Sequence, residues 1–175
     1  MQYLITELKA AIRDIPDFPQ VGVTFKDITP VLGNGALFQA AVRQMAEVCA
    51  KESITKIAAV EARGFIFGAA MAAFLGIGFV PIRKKGKLPF RTRSANYSLE
   101  YGFAEIESHE DAFLPGERIS IVDDVLATGG TAAAAVHLAR ECGAHVAIAQ
   151  CFIELSALKG KDALSPLPVF SLIEF

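Results

Sequence analysis

Apolar residues recur along the chain in two alternating patterns, one typical of helices and the other of buried strands. Helical spacing predicts amphipathic helices over residues 2–13 and 35–51, and further helices after Gly64 and from Gly130 to Cys142. Four short runs rich in branched apolar residues predict buried strands. They are KIAAV at 56–60, GFVPI at 78–82, RISIVD at 118–123 and HVAIAQCF at 145–152.

The alternation of helices with strands predicts an α/β fold, with a mostly parallel central sheet flanked by helices. The chain of 175 residues is long enough for one domain over residues 1–175 and too short for two. Residues 83–116 interrupt the alternation. Within this insertion, YSLEYG at 97–102 and FAEIES at 103–108 can pair as a hairpin.

The stretch from Gly64 to Ile82 has 19 residues without a charge, close to the length of a membrane-spanning helix. Gly76, Gly78 and Pro81 interrupt its last third, so we interpret it as a buried helix, a glycine turn and a buried strand. The N-terminal segment has acidic residues and helical spacing, so no signal peptide is expected. We therefore expect a cytoplasmic protein with no membrane partner.

The overall composition argues against several classes of function. Charged residues make up 21% of the chain and the formal net charge is -2, so no nucleic-acid partner is expected and any basic binding surface has to be local. The three cysteines have no CxxC spacing, and the three histidines lack the close pairing with His, Cys or Asp that a zinc site shows.

The segment VDDVLATGGT at 122–131 lies where a predicted strand gives way to its helix, which is where open α/β sheets bind ligands. Residues 128–131 have backbone N–H groups and hydroxyls at a helix N-terminus, which favours a phosphate. No lysine follows as in a Walker loop, so a phosphate monoester is favoured over a nucleoside triphosphate.

Asp123 and Asp124 need a partner of another kind, because carboxylates only accept hydrogen bonds. A vicinal diol or a hydrated divalent metal would satisfy them. Since ribose 5-phosphate has both a diol and a phosphate, it fits the whole segment. A pair of helix-capping aspartates is the alternative interpretation.

Six basic residues fall within eleven positions of the insertion: Arg83, Lys84, Lys85, Lys87, Arg91 and Arg93. Gly86 and Pro89 favour a loop in this region. A mobile basic loop can close over an anionic group and exclude water from the reaction. A solvated or nucleic-acid-binding run is the alternative.

Segments along nearly the whole chain resemble one known family. ISIVDDVLATGGTA at 119–132 is similar to the phosphoribosyl pyrophosphate motif of the type I phosphoribosyltransferases. Five other segments resemble the adenine branch of that family: DFPQVGVTFKDITPVL at 17–32, VEARGFIFG at 60–68, RKKGKLPFRT at 83–92, YSLEYG at 97–102 and CFIELSALKG at 151–160. The specific part of this resemblance is KLP followed by YSLEYG, together with FKDITPVL.

The resemblance implies the type I phosphoribosyltransferase fold, with a small N-terminal hood at about 1–34, a flexible basic loop at about 84–96 and a cis peptide bond at the turn before Gly64. It implies transfer of the 5-phosphoribosyl group from phosphoribosyl pyrophosphate to N9 of adenine, giving AMP and pyrophosphate in purine salvage. It also implies Mg²⁺, bound mainly through pyrophosphate and through water to Asp123 and Asp124. The implied assembly is a homodimer.

The same resemblance implies a role for individual residues. Asp123 and Asp124 would face the ribose hydroxyls. The 5-phosphate would be held by Ala127, Thr128, Gly129, Gly130 and Thr131. Pyrophosphate would contact Arg63, Arg83, Lys84 and Lys87. Adenine would contact Thr24, Phe25, Lys26 and Leu155, with Phe25 stacked on the purine ring.

Glu100 and Arg63 are the implied catalytic residues. Glu100, which is followed by Tyr101, would accept or return the proton of the base as N9 attacks C1. Residues that depart from those usual in the family are Lys26, Phe90 and Arg91.

Two other functions remain open at this point. One is transfer to an oxopurine such as hypoxanthine, guanine or xanthine, whose hydrogen-bonding groups are the reverse of those of adenine. The other is a regulator that senses phosphoribosyl pyrophosphate and has lost catalysis. Such regulators append a DNA-binding module, for which a chain that resembles the family along nearly its whole length leaves no room.

Overall fold

A computed structural model describes residues 2–98 and 103–175 and has the predicted α/β architecture. The helices in these ranges are α1 (Gln2–Ala11), α2 (Thr29–Gly33), α3 (Gly35–Lys51), α4 (Gly64–Leu75) and α5 (Gly130–Glu141), with short 3₁₀ helices at Ser156–Leu158 and Gly160–Leu164. The strands are β1 (Arg13–Ile15), β2 (Phe25–Asp27), β3 (Lys56–Val60), β4 (Gly78–Lys84), β5 (Thr92–Ser98), β6 (Phe103–His109), β7 (Arg118–Leu126), β8 (His145–Glu154) and β9 (Val169–Glu174).

Seven of these strands form one mostly parallel sheet in the order β5-β6-β4-β3-β7-β8-β9. The parallel pairs are β3 with β4, β3 with β7, β7 with β8, and β8 with β9. β6 pairs antiparallel with both β4 and β5. The predicted hairpin is confirmed only in part, because the partner of FAEIES is the strand at 92–98, which includes just Tyr97 and Ser98 of YSLEYG, and residues 99–102 lie outside the described residues. β1 and β2 form a separate two-stranded antiparallel ribbon.

Local sequence explains where the main helices begin and end. α3 begins after Asn34, whose side-chain oxygen accepts hydrogen bonds from Ala36 N at 3.1 Å and Leu37 N at 3.2 Å. α4 ends at Gly76, which has a left-handed φ of 67° and donates its N–H back to the last turn. Both helices bury an apolar face against the sheet.

The helices lie on both faces of the sheet, and a crevice forms where the connections from two neighbouring strands go to opposite faces. α3 and α4 pack on one face and α5 packs on the other, each with its own apolar core. β3 leads through α4 to β4 on one side, whereas its neighbour β7 leads through α5 to β8 on the other. The chain therefore diverges between the carboxyl ends of β3 and β7, the usual ligand-binding position in such sheets.

The structure corrects several predicted boundaries. The first helix ends at Ala11 and not at residue 13, because the chain then enters β1. β5 begins at Thr92, so the end of the stretch predicted as a loop (84–96) is strand; pairing with β6 along its whole length outweighs its polar composition. The strand predicted to end at Asp123 continues to Leu126, which places both aspartates within β7. The prediction of a single domain with a separate hood stays a prediction.

The uncharged stretch at 64–82 is confirmed as helix, turn and strand. α4 buries Phe67 and Met71, but Ile66 is 38% exposed and Phe74 is 53% exposed, so only one face of this helix is buried. Among the residues that the structure describes, no helix combines the length and the apolar character needed to cross a bilayer.

Candidate active site

A small phosphate-sized cavity lies at the carboxyl end of β7, between that strand and the start of α5. Its volume is about 70 Å³, and its lining consists of Asp123 and residues 125–132. Gly129 takes a left-handed φ of 84°, and α5 begins at the next residue. The unpaired N–H groups at the start of α5 therefore border the cavity, an arrangement that favours an anion.

Asp123 and Asp124 lie beside this cavity, and Asp124 N donates a hydrogen bond of 2.8 Å to Asp123 Oδ1. Burial raises the pKa of Asp123 well above its ordinary value, and the neighbouring Asp124 raises it further. Burial also raises the pKa of Asp124, while the Arg63 guanidinium opposes that rise. The two carboxyl groups are therefore held in an environment that disfavours their charged forms unless they gain hydrogen-bond donors.

Arg63 connects the aspartates to the N-terminal ribbon. Its Nε lies 2.7 Å from Asp124 Oδ2, an oxygen that is buried without a well-directed hydrogen bond. The guanidinium carbon also lies 4.7 Å from the centre of the Phe25 ring, within cation–π distance. The next residue has to be small, since a Cβ on Gly64 would lie 3.0 Å from Asp123 Oδ1. The Glu61–Ala62 peptide in this turn is cis, as the resemblance implied.

Two further cavities continue from the phosphate-sized one. The central cavity has a volume of about 430 Å³, and it is lined by Val60, Glu61, Ala62, Arg63, Lys84, Ile106, Asp123, Asp124, Val125, Ala127 and Thr131. The hood cavity has a volume of about 110 Å³ and is lined by Val23, Thr24, Phe25, Lys26, Arg63, Val125 and Leu155. The first two cavities share Asp123, Val125, Ala127 and Thr131, and the last two share Arg63 and Val125.

The cavities therefore bring together most of the residues singled out in the sequence. The residues predicted for the phosphate, the ribose and the base line the three cavities in that order. Of the four basic residues predicted for pyrophosphate, Arg63 and Lys84 line the central cavity, while Arg83 and Lys87 do not. Glu100 and Tyr101 lie outside the described residues.

Two glutamates hold the end of β4 and the basic loop that follows it, and neither was predicted from the sequence as a functional residue. Glu61 accepts hydrogen bonds from Arg83 Nε at 2.8 Å and from Lys84 N at 2.7 Å. Burial opposes ionisation of Glu61, but the Lys84 N–H and the Arg83 guanidinium outweigh it, so its pKa is lower than usual. Its sequence signal was an acidic residue directly after the predicted strand at 56–60, comparable with Asp123 and Asp124 at the end of the predicted strand at 118–123.

The second of these residues, Glu107, is 3% exposed. It accepts hydrogen bonds of 2.9 Å from both Lys87 N and Leu88 N, and one of 3.1 Å from Thr92 Oγ1. Burial opposes its ionisation, yet the backbone N–H groups hold its pKa below the ordinary value of 4.5. Nothing local in FAEIES distinguishes this glutamate, since its partners lie fifteen or more residues away in the chain.

We expect Glu107→Gln to lower the free energy of unfolding at pH 7 by about 1 to 2 kcal/mol, because charge-assisted hydrogen bonds to the loop become neutral ones. A carboxyl group whose pKa is depressed by folding stabilises the protein above its unfolded pKa and loses that contribution as the pH falls through the folded value. The difference in the free energy of unfolding between Glu107→Gln and the wild type should therefore become smaller below pH 4.5. Urea unfolding at several pH values measures it, with exposed Glu110→Gln as the control.

Comparisons with known proteins agree with this geometry. The phosphoribosyl transferase domain family matches residues 31–173. The adenine phosphoribosyltransferase of Nitrosococcus oceani is 51% identical over 168 residues, which cover 96% of this chain and 98% of the relative. The crystal structure of the adenine phosphoribosyltransferase of Thermoanaerobacter pseudethanolicus has a TM-score of 0.95 and 47% identity, over 98% of this chain and 99% of that one.

A Saccharomyces cerevisiae adenine phosphoribosyltransferase, complexed with an imino-altritol bisphosphate and adenine, superposes with a TM-score of 0.93. It is 39% identical, and the match covers 99% of this chain and 100% of the yeast chain. The sheet order, the cavity lining and the agreement over nearly full length lead to the same assignment. The chain belongs to the type I phosphoribosyltransferase family, in its adenine phosphoribosyltransferase branch.

Proposed function

We propose a residue-level mechanism for the reaction of this family, the transfer of the 5-phosphoribosyl group from phosphoribosyl pyrophosphate to N9 of adenine. The products are AMP and pyrophosphate, and the reaction belongs to purine salvage. The observation that carries the mechanism is the continuity of the three cavities. A sugar phosphate in the first two cavities directs C1 toward a base in the third.

The 5-phosphate is bound by the loop from Ala127 to Thr131. Its backbone N–H groups and the hydroxyls of Thr128 and Thr131 donate to the phosphate at the start of α5. Asp123 and Asp124 accept hydrogen bonds from the two ribose hydroxyls. These donors stabilise the charged carboxylates, whose pKa values burial raises in the free protein.

Arg63 and Lys84 neutralise the departing pyrophosphate from the wall of the central cavity. Arg83 and Lys87 join them when the loop of residues 85–91 closes. Since the reacting sugar develops the character of an oxocarbenium ion, closure of the loop also keeps water from C1. No covalent intermediate with the enzyme is required.

The acidic pair also fits a magnesium ion bound to pyrophosphate. Asp124 Oδ2 is a buried carboxylate oxygen that is paired with Arg63 Nε at 2.7 Å but accepts no well-directed hydrogen bond, and Asp123 lies next to it. Among residues 2–98 and 103–175, no three His, Cys, Asp or Glu side chains come together to hold an ion. Mg²⁺ commonly keeps several waters and binds through substrate phosphates, so Asp123 and Asp124 would contact it through water. When bound, the ion supplies positive charge that stabilises the leaving group.

Adenine occupies the hood cavity. Phe25 stacks on the purine ring and Leu155 supplies a second apolar contact. The backbone of Thr24 and Lys26 forms hydrogen bonds with the polar edge of the base. Glu100 accepts or returns the proton of the base as N9 attacks C1. The enzyme acts as a cytoplasmic homodimer, in which a second copy covers Ile66 and Phe74 on the exposed face of α4.

The assay for this mechanism is AMP formation from adenine, phosphoribosyl pyrophosphate and Mg²⁺. We expect Phe25→Ala to raise the KM for adenine roughly 5- to 150-fold, which corresponds to the loss of about 1 to 3 kcal/mol of stacking. The KM for phosphoribosyl pyrophosphate should change little, because the sugar phosphate lies in the other two cavities.

Tyr3→Ala is the matched control, since Tyr3 is an aromatic residue of α1 that is 77% exposed. Faster turnover with hypoxanthine or guanine than with adenine would contradict the assignment of the base. An unchanged KM for adenine in Phe25→Ala would contradict the stacking role.

A further inference from the structure

A second segment packs against the phosphate loop from the side of β8. We call residues 155–164 the buttress segment; it contains both 3₁₀ helices and begins at Leu155 in the hood cavity. Gly160 and Gly129 bring the two backbones into contact. A Cβ on Gly129 would overlap Gly160 O, and a Cβ on Gly160 would overlap Ala127 O and lie 3.1 Å from Gly129 N. The position of Gly160 therefore sets how the phosphate loop can lie.

The phosphate loop depends on such support because of how it binds charge. None of the residues that line the phosphate-sized cavity is basic, and one of them, Asp123, is acidic. Attraction for the 5-phosphate then comes from backbone N–H groups and hydroxyls. Their contribution depends on orientation, so a small displacement of the loop weakens several contacts at once.

Lys161 fixes the buttress segment directly after Gly160. Its Nζ lies 2.6 Å from Glu154 Oε2 and 3.0 Å from Glu174 Oε1. Glu154 is 4% exposed and ends β8, where it is paired in register with Leu126 of β7, the residue before the phosphate loop. The hydrogen bond to Glu154, followed by the one to Glu174, raises the pKa of Lys161, which stays charged at neutral pH.

These contacts form one connected path. The sheet places Glu154 and Glu174, the two carboxylates pair with Lys161, and Lys161 directly follows Gly160, whose backbone contacts Ala127 and Gly129. We propose that Lys161 is a positioning residue for the 5-phosphate, acting through the Gly160 backbone without contacting the substrate. This inference rests on the proposed assignment of the 5-phosphate to the loop from Ala127 to Thr131.

Calorimetric titration of the full-length enzyme with ribose 5-phosphate and, separately, with inorganic pyrophosphate tests the proposal. Lys161→Met keeps the length of the side chain and removes its charge. We expect it to weaken the binding of ribose 5-phosphate about tenfold and the binding of pyrophosphate less than about twofold, because only the phosphate loop moves. Lys161→Arg should restore ribose 5-phosphate binding to within about threefold of the wild type, since it can still pair with the two carboxylates.

Lys159→Met is the control for charge alone. Lys159 is an exposed lysine of the same segment, so its loss changes the local field without removing the pairing of Lys161. Gly160→Ala is the second variant, because it keeps every charge and moves the backbone directly. It should reproduce the selective loss of ribose 5-phosphate even if Lys161→Met does not fold.

The outcomes separate this proposal from the one on which it rests. Equal weakening of both ligands in Lys161→Met, or unchanged ribose 5-phosphate binding in that variant, overturns the role of Lys161 whatever the result for Gly160→Ala. If Lys161→Met does not fold, equal weakening of both ligands or unchanged ribose 5-phosphate binding in Gly160→Ala overturns it. The same holds if Lys159→Met weakens ribose 5-phosphate as much as Lys161→Met does. If the wild-type enzyme itself does not bind ribose 5-phosphate, the assignment of the phosphate loop fails, and the inference fails with it.

Discussion

Replacing Arg63 by alanine is expected to lower kcat/KM for phosphoribosyl pyrophosphate by a hundred- to a thousandfold, or about 3 to 4 kcal/mol. Arg63 lines both the central and the hood cavities and lies 2.7 Å from Asp124 Oδ2. In the proposed mechanism its removal takes away positive charge from the leaving pyrophosphate, and it leaves Asp124 without its ion-pair partner. Steady-state AMP formation at varied phosphoribosyl pyrophosphate measures the effect.

The pH profile of the Arg63→Ala enzyme gives a second readout. The Arg63 guanidinium opposes the rise in the pKa of Asp124 that burial causes. Without it the pKa rises further, so the acid limb of kcat/KM should move to higher pH if ionised Asp124 binds the ribose. Arg43→Ala, an exposed arginine on α3, is the control. A loss below about tenfold in Arg63→Ala would be too small for direct contact with the leaving group.

Asp123→Asn is expected to weaken ribose 5-phosphate by about 2 to 3 kcal/mol, roughly 30- to 150-fold, while adenine binding stays nearly constant. The reason is that a charged acceptor for a ribose hydroxyl becomes a neutral amide. Calorimetric titration with each ligand measures the two affinities, and Asp111→Asn in the exposed turn after β6 is the control. Equal losses for both ligands would contradict the ribose assignment.

The same substitution should stabilise the ligand-free protein. The pKa of Asp123 is raised above its ordinary value by burial and by Asp124, so folding favours the protonated form. The wild type therefore has its full stability below the unfolded pKa and loses part of it as the pH rises through the folded value. Asparagine has no charge to desolvate, so the gain in Tm over the wild type should be larger at pH 8 than at pH 4. Asp123 therefore lowers the stability of the ligand-free protein, as expected for a residue whose charged form serves to bind a ligand.

The order of helices and strands was readable because it depends on local patterns. Residues 35–51 and 56–60 were predicted with the bounds that the structure has, since a capped amphipathic helix and a buried apolar strand each carry their signal within their own residues. The ribbon of β1 and β2 and the strand β9 were missed. β1 and β2 have only three residues each and are held by pairing with partners that local composition does not identify.

The candidate functional residues likewise divide into those that the sequence indicated and those that it did not. The phosphate loop and the acidic pair are contiguous in the chain, so their chemistry and spacing could be recognised together. Glu61, Glu107 and Lys161 carry no such signal. Glu61 contacts residues more than twenty positions away, and Lys161 is held by Glu174, thirteen positions away.

The sequence by itself determined the α/β class and the segment proposed to bind the sugar phosphate, because helix period, strand burial and helix-terminus chemistry are local properties. It indicated the family through the resemblance of its motifs to known ones. Only the tertiary structure decided which side chains share a cavity and which hold the loops around it. Strand pairing places Asp124 beside Arg63, and the Gly129–Gly160 contact sets the phosphate loop against a segment thirty residues later in the chain. Such contacts depend on register and distance in three dimensions, which no stretch of sequence contains.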